Sequence, residues 1–161
     1  MVTHWVVNAS PVILLGKTGQ LELLRHLGSH IVIPEAAVRE VEGRPYSDVS
    51  VQALSTATWL NQVAVNVIPE DVASFGLGDG EAEVLTYALA QKGTGAILDD
   101  QAARHAATQL GIPHVGTLGV VVFAKVHGLI PSAKDVIEQL RQHGMYLSDK
   151  VMARALAQVG E

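Results

Sequence analysis

Residues 5–11 have the sequence Trp5-Val6-Val7-Asn8-Ala9-Ser10-Pro11. The apolar run of the first three residues predicts a buried strand, which ends where the polar side chains of Asn8 and Ser10 begin. Ser10 can act as the N-cap of a helix, and Pro11 suits the first helical position, where its missing N–H would have no helical partner. We therefore expect a strand that passes directly into a helix, with polar side chains at the junction.

The same alternation of short apolar runs and amphipathic segments continues along the chain. Further strands are predicted at residues 31–33, 96–98 and 112–115. Helices are predicted at residues 12–15, 21–27, 35–41, 81–91, 102–110, 117–126, 133–143 and 148–159. The stretch from Arg44 to Glu70 is less regular, because residues 51–60 favour a helix and residues 63–68 favour a short extended segment.

Strands that alternate with helices are typical of a parallel sheet covered on both faces. We expect the α/β class, with a three-layer α/β/α arrangement of four or five parallel strands. No internal repeat or composition shift marks a domain boundary, so a single domain over residues 1–161 is expected.

The composition limits the classes of protein that need be considered. Apolar residues make up 48% of the chain and aromatic residues only 4%, which favours a core of Val, Leu, Ile and Ala. The absence of cysteine excludes disulfides, thiolate metal sites and cysteine nucleophiles, and is compatible with a reducing cytosol. The first ten residues do not resemble a signal peptide, and the longest apolar stretch, residues 119–124, is too short to span a bilayer. A cytoplasmic protein without membrane contact is expected.

The formal net charge of −5 argues against a passive nucleic-acid binder, which usually carries a basic face. It argues less against a nuclease, because bound divalent cations neutralise an acidic site. The seven histidines are scattered and show no zinc-binding spacing.

Acidic and amide side chains follow the predicted strands. In an open parallel sheet, ligands bind beyond the carboxyl ends of the strands. Strand one ends at Asn8, and strand two leads into the helix that carries Glu40. Glu81 begins the helix before the strand that ends at Asp99 and Asp100. We therefore expect these five side chains at one edge of the sheet.

Such a cluster requires a cation. Two carboxylates about 4 Å apart repel by roughly 4 kcal/mol at an effective dielectric near 20. Oxygen ligands without cysteine or clustered histidine favour Mg²⁺ or Mn²⁺ over Zn²⁺.

The first two strand–helix junctions resemble those of PIN-domain proteins. The segment Asn8-Ala9-Ser10-Pro11-Val12-Ile13 resembles the first strand and helix of that family, in which an aspartate normally occupies the Asn8 position. Ile33-Pro34 with Val38-Arg39-Glu40-Val41 resembles the second acidic motif, with Glu40 as the acid.

The later motifs follow in the family's order. Gly80-Glu81-Ala82-Glu83-Val84 resembles the third motif, with Glu81 in place of the usual aspartate. Ile97-Leu98-Asp99-Asp100, with Ala103-Arg104 and Leu110-Gly111, resembles the fourth, and Asp100 fits the family's acid slightly better than Asp99. The resemblance covers nearly the whole chain and is closest to a little-characterised branch related to the toxins of toxin–antitoxin pairs.

This resemblance implies a ribonuclease that uses one or two Mg²⁺ or Mn²⁺ ions. Glu40, Glu81 and Asp100 would be the metal ligands, with Asn8 at the fourth position and Asp99 in the same site. In substrate binding, Ser10 would hydrogen-bond a ligand or a metal-bound water, and Arg104 would meet a phosphate. The implied partners are RNA, an antitoxin protein and a second copy of the chain, with apolar helix faces such as residues 120–124 as the dimer interface.

Two alternatives remain open at this stage. Asn8 supplies a neutral oxygen where the family supplies an anionic one, so the chain could be a catalytically weakened PIN-like module that binds RNA or protein. A phosphotransfer receiver or phosphatase-like protein would need a carboxylate at that position. Plain structural roles are also available: Asn8 or Asp100 as helix caps, Glu81 as a charge at a helix start and Glu83 as a surface residue.

Overall fold

The computed structural model describes residues 2–161 and contains, within that range, five strands, nine α-helices and one 3-10 helix. The strands are β1 (His4–Val7), β2 (His30–Pro34), β3 (Leu60–Val63), β4 (Thr94–Ile97) and β5 (His114–Val115). The first α-helices are α1 (Ala9–Lys17), α2 (Glu35–Glu42), α3 (Val49–Thr56), α4 (Glu70–Ala73) and α5 (Asp79–Ala90). The remaining ones are α6 (Gln101–Gln109), α7 (Thr117–Val126), α8 (Ala133–Gln142) and α9 (Asp149–Gln158). The 3-10 helix spans Leu21–His26.

All five strands are parallel and lie in the order β3-β2-β1-β4-β5. Strand β1 is therefore central, paired with β2 along one edge and with β4 along the other. Helices cover both faces of the sheet. The prediction of an α/β class fold, with a parallel sheet of four or five strands in a three-layer α/β/α arrangement, is confirmed.

The core divides into two apolar clusters, one on each face of the sheet. Successive side chains of a strand point to opposite faces, so Val7 belongs to one cluster and its neighbour Val6 to the other. The Val7 cluster is formed with α1, α3, α7 and α8. The Val6 cluster is smaller and is formed with α4, α5 and α6.

Three local predictions were wrong. Helix α1 begins at Ala9, one residue before Ser10, so Ser10 lies inside the first turn and cannot be the N-cap. Residues 21–26 form a 3-10 helix instead of an α-helix. The third strand covers Leu60–Val63, not residues 63–68, because it is an edge strand whose exposed Asn61 and Gln62 hide the apolar signal.

Helix α7 does not offer the interface expected from its sequence. Val120, Val121 and Ala124 are fully buried in the chain's own core, so they are not available to a second copy. Separately, none of the helices in the described part of the chain is both long and apolar enough to cross a membrane.

The pairing of β1 with β4 depends on close contact between Trp5 and Gly95, which are partners in the register. The Trp5 ring is held in place by the hydrogen bond that its Nε1 donates to the Leu27 carbonyl, at 3.1 Å. A Cβ on Gly95 would lie 2.6 Å from the ring atom Cζ3 of Trp5. A side chain at Gly95 must therefore displace the ring.

We predict that Gly95→Ala destabilises the fold by about 1–3 kcal/mol through overpacking. The melting temperature should fall by several degrees, as measured by circular dichroism. In a Trp5→Leu background the same Gly95→Ala substitution should lower the free energy of unfolding much less, because the obstructing ring is gone. An unchanged melting temperature for Gly95→Ala alone would contradict this account of the β1–β4 contact.

Candidate active site

The candidate site lies where the strand order changes direction. The chain passes from β1 to β2 on one side, whereas β4 lies on the other side of β1. A crevice forms at the carboxyl ends of such neighbouring strands. Asn8 directly follows β1, and Asp99 comes two residues after β4. The backbone N–H of Asn8 donates to the Ile97 carbonyl at 3.1 Å, which ties the two strand ends together.

The Asn8 side chain is buried but unpaired. Asn8 is only 4% exposed, and its Oδ1 has no hydrogen-bond partner among residues 2–161. Asn8 occupies the N-cap position of α1, yet its side chain makes no capping hydrogen bond within this range. A buried polar atom without a partner typically costs about 1–3 kcal/mol. The helix-cap alternative is thus wrong for Asn8, and its buried oxygen is left without a partner among the described residues.

Glu40 approaches Asn8 over the backbone of Gly80. A Cβ on Gly80 would lie 2.6 Å from Asn8 Oδ1 and 3.6 Å from Glu40 Oε2. Both oxygens therefore lie near Gly80 in the first turn of α5, where a side chain at residue 80 would clash with Asn8. The sequence prediction that Asn8 and Glu40 lie at the same edge of the sheet agrees with this geometry.

Glu83 holds the helix that carries Glu40. Helix α2 begins after Pro34, which has no side-chain cap to offer. The backbone N–H of Ala36 instead donates to Glu83 Oε1 of α5, at 3.2 Å, and Arg39 lies 3.8 Å from the other carboxylate oxygen. Glu83 is only 8% exposed. The expectation that it is a surface residue was wrong, because its side of α5 faces the start of α2.

Glu81 lies in the first turn of α5 and borders the same cleft as Asn8. It is half-buried, and its Oε2 lies 2.8 Å from the position that a Cβ on Gly78 would occupy. Glycines at 78 and 80 thus leave room for the carboxylate and for the approach of Asn8 and Glu40.

Asp99 is fixed by three hydrogen bonds inside the cleft. Thr117 donates from its backbone N–H to Asp99 Oδ1 at 2.7 Å and from its hydroxyl to Oδ2 at 2.7 Å. The Ser10 hydroxyl donates to the same Oδ2 at 3.2 Å. Three donors from α1 and α7 set the orientation of this carboxylate, so Asp99 is a preorganised acid.

Asp100 has a different environment from its neighbour. It is exposed, and its Oδ2 accepts a hydrogen bond from the backbone N–H of Ala103 at 2.9 Å, so it caps α6. The sequence slightly favoured Asp100 over Asp99 as the family's acid; the structure places both at the cleft and gives Asp100 the additional role of helix cap. An N-cap side chain must turn back towards its own helix, which leaves Asp100 at the rim of the cleft and Asp99 inside it.

The cleft has a volume of about 930 Å³ and continues past the acids to α6 and β5. Arg104 Nη1 and Asp99 Oδ1 lie on the same side of Gly116, 3.3 and 3.1 Å from the position of its missing Cβ. Burial lowers the pKa of the nearby His114 imidazole below its ordinary value, and the charge of Arg104 lowers it further. The lowered pKa favours the neutral form of His114, and Arg104 is the one lysine or arginine among the described residues that line the cleft.

The donor chemistry suits a hard divalent ion, although the side chains do not form a closed cage. Within residues 2–161, no three His, Asp or Glu side chains lie close enough together to hold a metal ion. Asn8, Ser10, Glu81 and Asp99 line one cleft, whereas Glu40 is exposed and lies outside its lining, near Gly80. The unpaired Asn8 oxygen and the all-oxygen donor set fit Mg²⁺ or Mn²⁺.

Thr117 was not identified from the sequence. It directly follows Gly116 at the end of β5, so the same strand-end rule that selected Asn8 and Asp99 applies to it. The signal was present but weak, because β5 has only two residues.

Comparison with known proteins agrees with this geometry. A family model described as a PIN domain matches residues 4–161. No curated protein matches the chain.

We predict that Glu83→Leu lowers stability by about 1–3 kcal/mol, because the Ala36 N–H is left buried without an acceptor. Glu83→Gln should be milder, since its carbonyl can still accept that hydrogen bond. Urea unfolding measures both effects, and Glu138→Leu at an exposed position of α8 is the control for introducing leucine. Equal stability of Glu83→Leu and wild type would show that Glu83 does not hold α2.

Proposed function

The chain belongs to the PIN-domain family, whose fold is of the nuclease type, and on that premise we propose that it is a metal-dependent ribonuclease that hydrolyses RNA phosphodiester bonds. The observation that carries the proposal is the buried, unpaired oxygen of Asn8 beside the Glu40 carboxylate. A buried oxygen without a partner is unfavourable in a fold stabilised only by its own contacts, whereas Asn8 and Glu40 would help to hold a divalent cation that supplies the missing partner.

The contacts described above support one proposed set of metal ligands. Asn8, Glu40, Glu81 and Asp99 would hold Mg²⁺ or Mn²⁺, with Asp100 at the rim. The bound ions would supply an activated water and charge stabilisation for the leaving oxygen.

The other side chains of the cleft have supporting roles. Ser10 and Thr117 orient Asp99 through their hydrogen bonds. Arg104 offers its guanidinium to a phosphate, and no ion pair with an acid of the described chain occupies it. The neutral His114 adds no positive charge, so phosphate binding in the cleft depends on Arg104 and on the metal ions.

We further propose that the protein acts in the cytoplasm as the toxin of a toxin–antitoxin pair, with an antitoxin protein as partner and a homodimer as its working state. The resemblance of the four acidic motifs supports this role. With much of α7 buried, a dimer would have to use its remaining exposed apolar surface, such as Val126, which is 64% exposed.

The second candidate is a PIN-like module that binds RNA or protein with weakened catalysis. Two observations favour it: the neutral amide at Asn8, and the lack of a three-carboxylate cluster among the described residues. Metal affinity distinguishes the two candidates, because a binding module has no need of the ion.

We predict that Asn8→Asp strengthens Mn²⁺ binding roughly tenfold or more, since an anionic oxygen replaces a neutral one beside Glu40. RNA cleavage should increase with it. Isothermal titration with Mn²⁺ and a cleavage assay on a mixed RNA pool measure the two effects. Equal Mn²⁺ affinity of the two proteins would remove Asn8 from the metal site.

We also predict that the two adjacent aspartates differ in function. Asp99→Asn should abolish Mn²⁺ binding or weaken it at least tenfold, because a fixed anionic ligand is lost. Asp100→Asn should bind Mn²⁺ nearly as well as wild type, and asparagine caps a helix about as well as aspartate, so the fold is kept. The same titration, with circular dichroism as the check on folding, decides between them. If Asp100→Asn lost more Mn²⁺ affinity than Asp99→Asn, Asp100 would be the principal ligand.

A further inference from the structure

The cleft that holds the acids has a second end, formed by the connection between α8 and α9. Gly144, Met145, Tyr146, Leu147 and Ser148 all line it. Within this segment the Tyr146 side chain is 94% exposed, the highest value among the large apolar and aromatic residues that are exposed. The ring contributes nothing to the core, and it borders the same cleft as the acids.

The connection presents Tyr146 on a well-anchored backbone. Met145 and Leu147, on either side, are half-buried and pack against the main apolar cluster. The Met145 N–H donates to the Leu140 carbonyl at 3.0 Å, and Ser148 caps α9 through the Val151 N–H at 3.2 Å. With both neighbours directed inward, Tyr146 is directed outward from a fixed position.

We propose that Tyr146 is a stacking platform for an unpaired nucleobase of the RNA whose phosphates occupy the acidic end of the cleft. This inference rests on the proposed function of the cleft. Aromatic side chains bind bases of single-stranded RNA by stacking, and the phenol ring of Tyr146 is fully available for it. Arg104 lines the same cleft as Tyr146 and the acids, so it is placed to contact a phosphate of the bound strand.

The charge of the chain supports stacking as the mode of recognition. With 16 acidic and 11 basic residues, the protein does not attract a polyanion through its overall field. Besides Arg104 and bound cations, RNA can gain affinity from short-range contacts, and base stacking is one that needs no positive charge.

Tyr46 provides a matched control. Its side chain is 85% exposed, but it lines a separate depression near Leu54 and Leu60, away from the acids. A general effect of exposed tyrosines on RNA binding would appear at both positions, whereas a platform in the cleft involves Tyr146 alone.

The test is equilibrium binding of two fluorescein-labelled RNA decamers, one of adenylates and one abasic, measured by fluorescence anisotropy. Ca²⁺ fills the acidic site, since it also prefers oxygen ligands, and a gel confirms that the probes stay intact. Wild type should bind oligoadenylate more tightly than the abasic decamer. Tyr146→Ala should weaken oligoadenylate binding roughly tenfold and remove the preference, whereas Tyr46→Ala and Tyr146→Phe should stay within about twofold of wild type.

Three outcomes would overturn the proposal. Tyr146→Ala could bind oligoadenylate as tightly as wild type does. Tyr146 would then not contact RNA, and its exposed surface would be assigned to a protein partner. Tyr146→Ala could weaken the binding of both decamers by the same factor, which would show that Tyr146 does not recognise a base. Wild type could also fail to prefer the decamer that carries bases. Metal-dependent cleavage of the mixed RNA pool is measured separately, so the ribonuclease proposal can hold when the stacking proposal fails.

Discussion

The structure depends on the double pairing of β1. This strand is hydrogen-bonded to β2 on one edge and to β4 on the other, and its Val6 and Val7 are fully buried on opposite faces. Because β1 is paired on both edges and buried on both faces, the position of the next residue, Asn8, is fixed. The site is therefore determined by the most rigid part of the fold, even though the other ligands come from separate helices.

Metal-free stability and metal affinity place opposite demands on position 8. A carboxylate at position 8 would be repelled by the nearby Glu40 carboxylate when no cation is bound. The amide of Asn8 avoids that repulsion but leaves its buried oxygen unpaired. Asparagine thus makes the metal-free fold more stable than aspartate would, and it lowers the affinity for a metal ion. Gly80 is required for the same arrangement, because a Cβ at residue 80 would lie only 2.6 Å from Asn8 Oδ1.

Much of the architecture could be predicted from the sequence, because β1, β2 and β4 are apolar runs that lead into helices with clear periodicity. The edge strand β3 was predicted too far along the chain. Its position is set by pairing with β2, whereas its own residues Asn61 and Gln62 are polar and exposed and give no strand signal. At the site, the strand-end rule placed Asn8 and Asp99 at the same edge. It could not distinguish Asp99 from Asp100, because that depends on which side chain turns back to cap α6. Glu83 was missed for a related reason: its partner, the Ala36 N–H, belongs to a helix distant in sequence.

Overall charge is a poor guide to the ligand of this cleft. At physiological ionic strength the Debye length is about 8 Å, so acids elsewhere on the surface are largely screened from a bound phosphate. What a phosphate meets locally is Arg104, a neutral His114 and the carboxylates. If those carboxylates hold a divalent ion, the local field becomes attractive although the formal net charge remains −5. The acidic composition that argues against a passive RNA binder is therefore compatible with an RNA-cleaving enzyme, provided that metal binding precedes RNA binding.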